Sequence, residues 1–122
     1  MSTGTEYLAV FLGNSGGPQR AAFDALPEAE RQAKIQQGMA AWKAWMERHS
    51  AAIATTGGPL GTTKKVSSAG VEDIRNRMSG FVVVRAPSHA DAARMFEGHP
   101  HFTIFPGDSI EIMPVLPIPG SR

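Results

Sequence analysis

Two unbroken runs of apolar residues, 7–12 and 81–84, constrain this chain more than any other feature of its sequence. The first is followed by Gly13, and the second lies between Gly80 and Pro87. A strand with one face in solvent alternates polar and apolar residues, whereas a continuous apolar run is typical of a strand covered on both faces. The runs therefore predict two strands with no exposed face, the first of them central in its sheet.

A long amphipathic helix is predicted between these strands. It begins near Pro27, a residue favoured in the first turn, and ends near Ile53, before Gly57 and Gly58. Gly38 inside the helix costs up to about 1 kcal/mol relative to alanine, so we expect close packing at that position. An apolar stripe that should face the sheet recurs at helical spacing: Ile35, Met39, Trp42, Met46, His49 and Ile53.

The second apolar run leads into a short helix. Ser88 offers a capping hydroxyl and Asp91 follows three residues later, so a helix is predicted over 89–97. Gly98 and Pro100 are typical of the residues that end a helix.

The last strand is predicted over 110–116. Ile110 and Ile112 should face one side of the sheet and Glu111 the other, because side chains alternate along a strand. Pro114 marks it as an edge strand or a fraying end.

The remaining segments carry weaker patterns. Residues 58–66 predict a strand with a bulge or bend, and 67–79 a polar connection with a helical turn at 72–76. The glycine-rich segment 13–18 lacks the spacing and the lysine of a phosphate loop, so it is interpreted as a mobile loop. The proline-rich tail 116–122 either reaches across a partner subunit or stays loose.

This order of elements predicts an α+β, ferredoxin-like βαββαβ fold, with both helices on one face of an antiparallel four-stranded sheet. The 122 residues fit a single domain. The apolar runs would then leave hydrophobic side chains on the other face with nothing over them. A second copy should cover that face, which predicts a homodimer, a dimeric α/β barrel, with a pocket between the two sheets.

Composition excludes several classes of partner and cofactor. Twelve basic and eleven acidic residues leave a net charge of +1, which favours neither nucleic acid nor an anionic membrane. The chain has no cysteine, so disulfides and thiolate metal sites are excluded, and the six-residue apolar run near the start is too short for a signal-peptide core. We therefore expect a cytoplasmic protein without a cofactor.

Five short motifs resemble the YCII-like family, in particular its YCII-related and DGPF-type branch. They are G-G-P-L-G at 57–61, S-G-F-V-V-V at 79–84, A-x-S-x-x-x-A at 86–92, G-x-P at 98–100 and G-D-S-I-E-I-x-P at 107–114. The resemblance implies a dimeric α+β barrel of ferredoxin-like subunits. In one branch of the family it also implies an acid/base dyad, formed by a histidine in the first long helix and an aspartate after the G-P-L segment.

The chain departs from the family pattern at that dyad. The helix position of the histidine falls near Ala41 or Trp42, and Gly-Pro-Leu is followed by Thr62, Thr63 and Lys64 rather than by an aspartate. This branch has therefore either lost catalysis or works with other groups.

His99 and His101 are the first candidates for those other groups. An imidazole titrates near pH 7, and the end of the short helix would favour its charged form, so either residue could act as a general acid or base. Alternatively, they cap the helix or lie on the surface. With Asp108 or Glu111 they have the donor types of a zinc or iron site, but no helical spacing supports one, and we predict no metal.

Glu111 would point into the space between the subunits if its neighbouring isoleucines meet the helices. Desolvation there would raise its pKa and suit it to proton transfer, whereas on an edge strand its charge would only discourage edge pairing.

Four residues are candidates for ligand binding. Trp42 could stack on a ring, His49 could project into a cavity, and Arg85 and Asp108 could contact a charged group. For each, the alternative is a structural role in the core or at a solvated strand end.

The sequence thus predicts a protein that binds a small organic molecule, aromatic or carbonyl-bearing, between two sheets. As an enzyme it would be a cofactor-independent isomerase or lyase, with His99 or His101 carrying the proton and Glu111 as partner. The alternative is a non-catalytic ligand-binding or regulatory dimer.

Overall fold

The computed structural model describes residues 4–120, so the outermost residues of the predicted tail lie outside the described part of the chain. Four strands form one antiparallel sheet, in the order β2-β5-β1-β6, and two more form a separate hairpin. The elements in chain order are β1 Thr5–Leu12, α1 Pro18–Asp24, α2 Glu28–Arg48, β2 Ile53–Pro59, β3 Thr63–Ser67, β4 Gly70–Ile74, β5 Met78–Ala86, α3 His89–Arg94, α4 Pro100–Thr103 and β6 Ser109–Pro114. Without α1, α4 and the hairpin the order is βαββαβ, so the predicted α+β, ferredoxin-like fold is confirmed.

The two apolar runs are the central strands β1 and β5, which pair along their whole length. Tyr7, Ala9 and Phe11 are buried on one face of the sheet, where they pack with Trp45 of α2 and Phe96, which follows α3. Both helices thus cover the same face, as predicted. Side-chain alternation directs the intervening residues to the other face, which we call the open face.

The open face is apolar but has no second layer within the described chain. The cross-strand register brings together five of its residues: Leu8, Val10, Phe81, Val83 and Met113. Val10 is 8% exposed and Met113 39% exposed. A single chain therefore leaves this face without a covering layer, as predicted, and its cover by a second copy remains a prediction.

Trp45 joins α2 to α3. Its side chain is buried, and its indole Nε1 donates a hydrogen bond of 2.8 Å to the carbonyl oxygen of Met95. Met39, on the predicted apolar stripe, is instead 64% exposed. The buried face of α2 is thus rotated toward Trp45.

Gly38 makes the close contact expected of a glycine inside a helix. A Cβ atom at this position would lie 2.5 Å from the ring of Phe105, which is too close for any real contact. The aromatic ring therefore lies directly on the backbone of α2.

The long helix is shorter than predicted, because α2 ends at Arg48 and Ile53 is the first residue of β2. The apolar spacing assigned Ile53 to the helix by mistake. Ile53 contacts the hydrophobic core from β2, and a residue at the end of the helix would contact the same core, so its apolar character fits both elements. Gly57 and Gly58 then lie inside β2 rather than after the helix. Gly57 has φ +61°, a conformation open to glycine, and the backbone of Phe81 approaches it closely.

The single strand predicted over 58–66 is wrong, as is the helical turn at 72–76. Residues 53–59 belong to the main sheet, whereas β3 and β4 form the hairpin. Opposite charges pair across this hairpin, between Lys64 and Asp73 and between Lys65 and Glu72, and they favour two strands where the turn was expected.

Three smaller differences concern helices. The glycine-rich loop runs into α1, which was not predicted, and α3 ends at Arg94 rather than at residue 97. The two histidines, placed beyond the short helix by the sequence, lie at the start of a further single turn, α4.

Among the described residues, no helix is both long and apolar enough to cross a bilayer.

Candidate functional site

His99 begins α4 and is buried, with only 1% of its surface exposed. Its Nδ1 accepts a hydrogen bond of 3.0 Å from the backbone N–H of His101. Pro100 occupies the first helical position, where its missing N–H costs nothing. The imidazole is thus the N-cap of α4, so it lies at the start of a helix as well as beyond the end of another.

Aromatic rings surround His99. The ring centroids of Trp42 and Trp45 lie 4.5 and 4.9 Å from that of His99, and those of Phe11 and Phe96 lie 5.3 and 6.0 Å away. Because Nδ1 accepts a hydrogen bond, the proton of the neutral ring is on Nε2. This Nε2 is buried without a hydrogen-bond partner among the described residues.

Burial in this apolar surrounding, with smaller contributions from the positive charges that His101 and His49 can carry, lowers the pKa of His99 to about 4. His99 is therefore neutral near pH 7. We expected a helix C-terminus to favour the charged ring, and that expectation is wrong for this residue. Desolvation outweighs the helix end, and the N-terminal position in α4 also disfavours a positive charge.

His101 is also buried, at 7% exposure, and anchors the end of β1. Its Nε2 lies 2.8 Å from the carbonyl oxygen of Leu12, which can only accept, so this nitrogen donates. The ring also packs against Gly107, where a Cβ atom would clash with it. The alternative of surface histidines is thus wrong for both residues.

Glu111 lies on the other side of the sheet from the two histidines. It stands opposite Val10 on the open face and is exposed, whereas both imidazoles contact Phe11 on the helix face. The expected partnership between Glu111 and a histidine is therefore not formed within one chain.

Asp108 and Arg85 are both in ion pairs. Asp108 binds Arg77, and its backbone N–H donates to the same Leu12 carbonyl that His101 contacts. Arg85 lies 3.2 Å from Glu6 at the far end of β1. Arg85 thus lies apart from the histidines. Asp108 is linked to His101 only because both residues donate a hydrogen bond to the carbonyl oxygen of Leu12.

His49 caps the C-terminus of α2, with its ring centroid 4.7 Å from that of Trp45. The pKa of His49 is lowered, mainly by partial burial and to a smaller extent by the positive charge of Arg48. No group of three or more metal-binding side chains occurs within residues 4–120.

A cavity of about 180 Å³ lies on the helix face, between α2 and the β2–β5 half of the sheet. Trp42 is the one residue predicted for ligand binding that lines it. The other lining residues are Phe11, Met46, Thr56, Gly58, Pro59, Ser79, Gly80, Phe81 and Val82.

Sequence reasoning missed most of this lining, although one signal was present. A glycine within a strand often marks a bulge or a close approach to a ligand, and Gly58 and Gly80 both lie in strands.

Comparison with known proteins gives a likeness of fold. No family model matches the chain, and no curated protein matches its sequence significantly. One similar solved structure is 5-chloro-2-hydroxyhydroquinone dehydrochlorinase (TftG) from Burkholderia phenoliruptrix AC1100, in complex with 2,5-dihydroxybenzoquinone. The two chains are 17% identical over 88% of this chain and 90% of the other, with a TM-score of 0.51.

This likeness supports the fold alone. It agrees with the subunit fold that the resemblance to YCII-like proteins implies. Membership of that family remains a prediction.

Proposed function

We propose that this protein binds a small organic molecule with a single ring in the cavity beneath α2. The observation that carries the proposal is the partly enclosed, largely apolar hollow of about 180 Å³ against Trp42 and Phe11. An engineered apolar cavity of about 150 Å³ is large enough for benzene. The hollow therefore suits one six-membered ring with small substituents.

Two hydroxyl groups give the cavity some polar character. Ser79 Oγ donates to the carbonyl oxygen of Phe11 over 3.0 Å, which leaves its oxygen free to accept from a ligand. Thr56 contributes the second hydroxyl. A ring bearing a hydroxyl group fits this lining, and the molecule bound to the dehydrochlorinase of similar fold is a dihydroxylated ring.

The test is to fill the cavity. We expect phenol and dihydroxybenzenes to raise the melting temperature of the protein. Met46→Trp should abolish the shift, because Met46 lines the hollow and the larger side chain would occupy it. Met78→Trp is the matched control, since it makes the same change at a half-exposed side chain outside the cavity. Single rings that bind equally well to Met46→Trp would contradict the proposal.

A second candidate function is that of a cofactor-independent isomerase or lyase. It is favoured by the unpartnered Nε2 of His99, which lies behind Trp42 and Phe11, two walls of the cavity. Movement of Trp42 would let a bound ring accept a hydrogen bond from that nitrogen. His101 is the second proton carrier in this candidate, and Glu111, on the opposite face, is left out.

His99→Asn separates the two candidates. Asparagine keeps an N-cap acceptor for α4 but cannot exchange a proton near neutral pH. An enzyme should lose turnover of any ring it converts, whereas a binding or regulatory protein should keep its affinity and show no turnover in either form.

We also propose that the protein is a homodimer of the YCII-like type, with a second copy over the open face. The apolar residues on that face support this proposal, because solvent-exposed sheet surfaces of this kind are usually covered. A pocket between the sheets is part of the same proposal. The lack of cysteine fits a cytoplasmic location.

A further inference from the structure

We infer that the ring bound in the cavity carries a carboxylate group and that Lys43 binds it. This inference rests on the proposed binding function and specifies the chemical class of its ligand.

The first observation is a surface groove that adjoins the cavity. It has a volume of about 510 Å³ and shares Trp42 and Pro59 with the inner hollow. Its other lining residues are Met39, Lys43 and Phe105. A ring held in the cavity, with a substituent that passes Trp42 and Pro59, would place that substituent in the groove.

The groove walls come from neighbouring turns of α2 and from one aromatic ring. Met39 and Lys43 are four residues apart and thus share a face of the helix. Phe105 rests on Gly38, with its ring centroid 6.1 Å from that of Trp42. The ring of Phe105, held against α2 at Gly38, thus forms one wall of the groove.

The second observation is charge. Lys43 is the one charged residue that lines either hollow, and neither lining contains a carboxylate. Its ammonium group forms no ion pair or hydrogen bond within residues 4–120, although Glu47 stands one turn further along α2. A single unpaired cation beside an apolar groove favours a ligand that is apolar at one end and anionic at the other.

The experiment compares three rings of nearly equal size by calorimetric titration at low salt: benzoate, benzamide and benzylammonium. We expect benzoate to bind about twofold to fivefold more tightly than benzamide, as an exposed ion pair allows, and benzylammonium to bind more weakly than either. The preference for benzoate should diminish as salt is added.

Lys43→Met should bring the benzoate-to-benzamide affinity ratio to about one, and Lys43→Arg should keep it above one. Lys34→Met is the matched control, because it removes a charge from the same helix outside both hollows and should preserve the wild-type ratio.

The possible results distinguish the carboxylate site from the proposed binding of a ring. If benzamide binds and benzoate binds no better, or if Lys43→Met keeps the preference, the carboxylate site is overturned while ring binding stands. If none of the three rings binds, the carboxylate site is overturned, and ring binding is overturned with it only if phenol also leaves the melting temperature unchanged.

Discussion

His99 illustrates how one side chain can satisfy a structural demand and leave a chemical group available. Its Nδ1 caps α4, and its ring fills the space between two tryptophans, so the neutral form is built into the fold. The buried Nε2 is the exception, because a polar atom in such a position normally has a partner.

The stability of the protein should therefore depend on pH through His99. The folded-state pKa of about 4 lies below the usual 6.5, so the unfolded chain takes up the proton first as the pH falls. The stabilisation is fully present above pH 6.5 and is lost progressively toward pH 4. At about 1.4 kcal/mol per pKa unit, the loss in free energy of unfolding is about 3 kcal/mol.

Urea denaturation at a series of pH values measures this loss. His99→Asn keeps a cap but removes the titration, so its stability should vary less over the same range. His49, whose pKa is also lowered, titrates in both proteins and is part of the common background. An equally steep decline in the variant would assign the effect to other groups.

In α2, a residue with low helix propensity allows a close tertiary contact. Glycine disfavours helix, yet at position 38 it admits the ring of Phe105, which also lines the groove next to the cavity. The low helix propensity of Gly38 and the contact with Phe105 are therefore energetically coupled.

A double-mutant cycle should reveal this coupling. Gly38→Ala in the Phe105→Ala background should stabilise the protein by up to about 1 kcal/mol, because the helix gains propensity without a clash. In the wild-type background the gain should be smaller or reversed, since the Phe105 ring must move. Denaturant midpoints of the four proteins give the coupling energy, and identical gains in both backgrounds would argue against it.

At the scale of the whole molecule, the sheet has one covered face and one open face. The helices bury Tyr7, Ala9 and Phe11, while Leu8 and Val83 stand opposite each other on the other side. This asymmetry is the physical basis of the proposed homodimer.

Light scattering should accordingly give twice the chain mass at micromolar concentration. Val83→Lys places a charge on the open face and should yield monomers, because a charge buried without a partner in an interface is costly. Val66→Lys is the matched control: it makes the same change on the hairpin, at a side chain that is 76% exposed, and should leave the dimer intact. A wild-type protein with the mass of one chain would remove the basis for a pocket between sheets.

Local sequence determined the two central strands and the capped helix. The apolar runs identified β1 and β5, Ser88 does accept the expected bond from the N–H of Asp91, and the order of elements gave the ferredoxin-like fold. These features depend on neighbours in the chain, which sequence patterns record directly. The hairpin was missed because its charges act across strands, and the end of α2 because Ile53 suits either element.

The position of the candidate site was decided only by tertiary structure. A histidine pair beyond a short helix has the same sequence whether it is exposed or enclosed by aromatic rings from three other segments. Likewise, nothing local indicates that Glu111 and these histidines lie on opposite faces of the sheet, or that the cavity lies under α2. Burial and the enclosure of a cavity arise from contacts between residues far apart in the chain, so they exist only once the elements have packed.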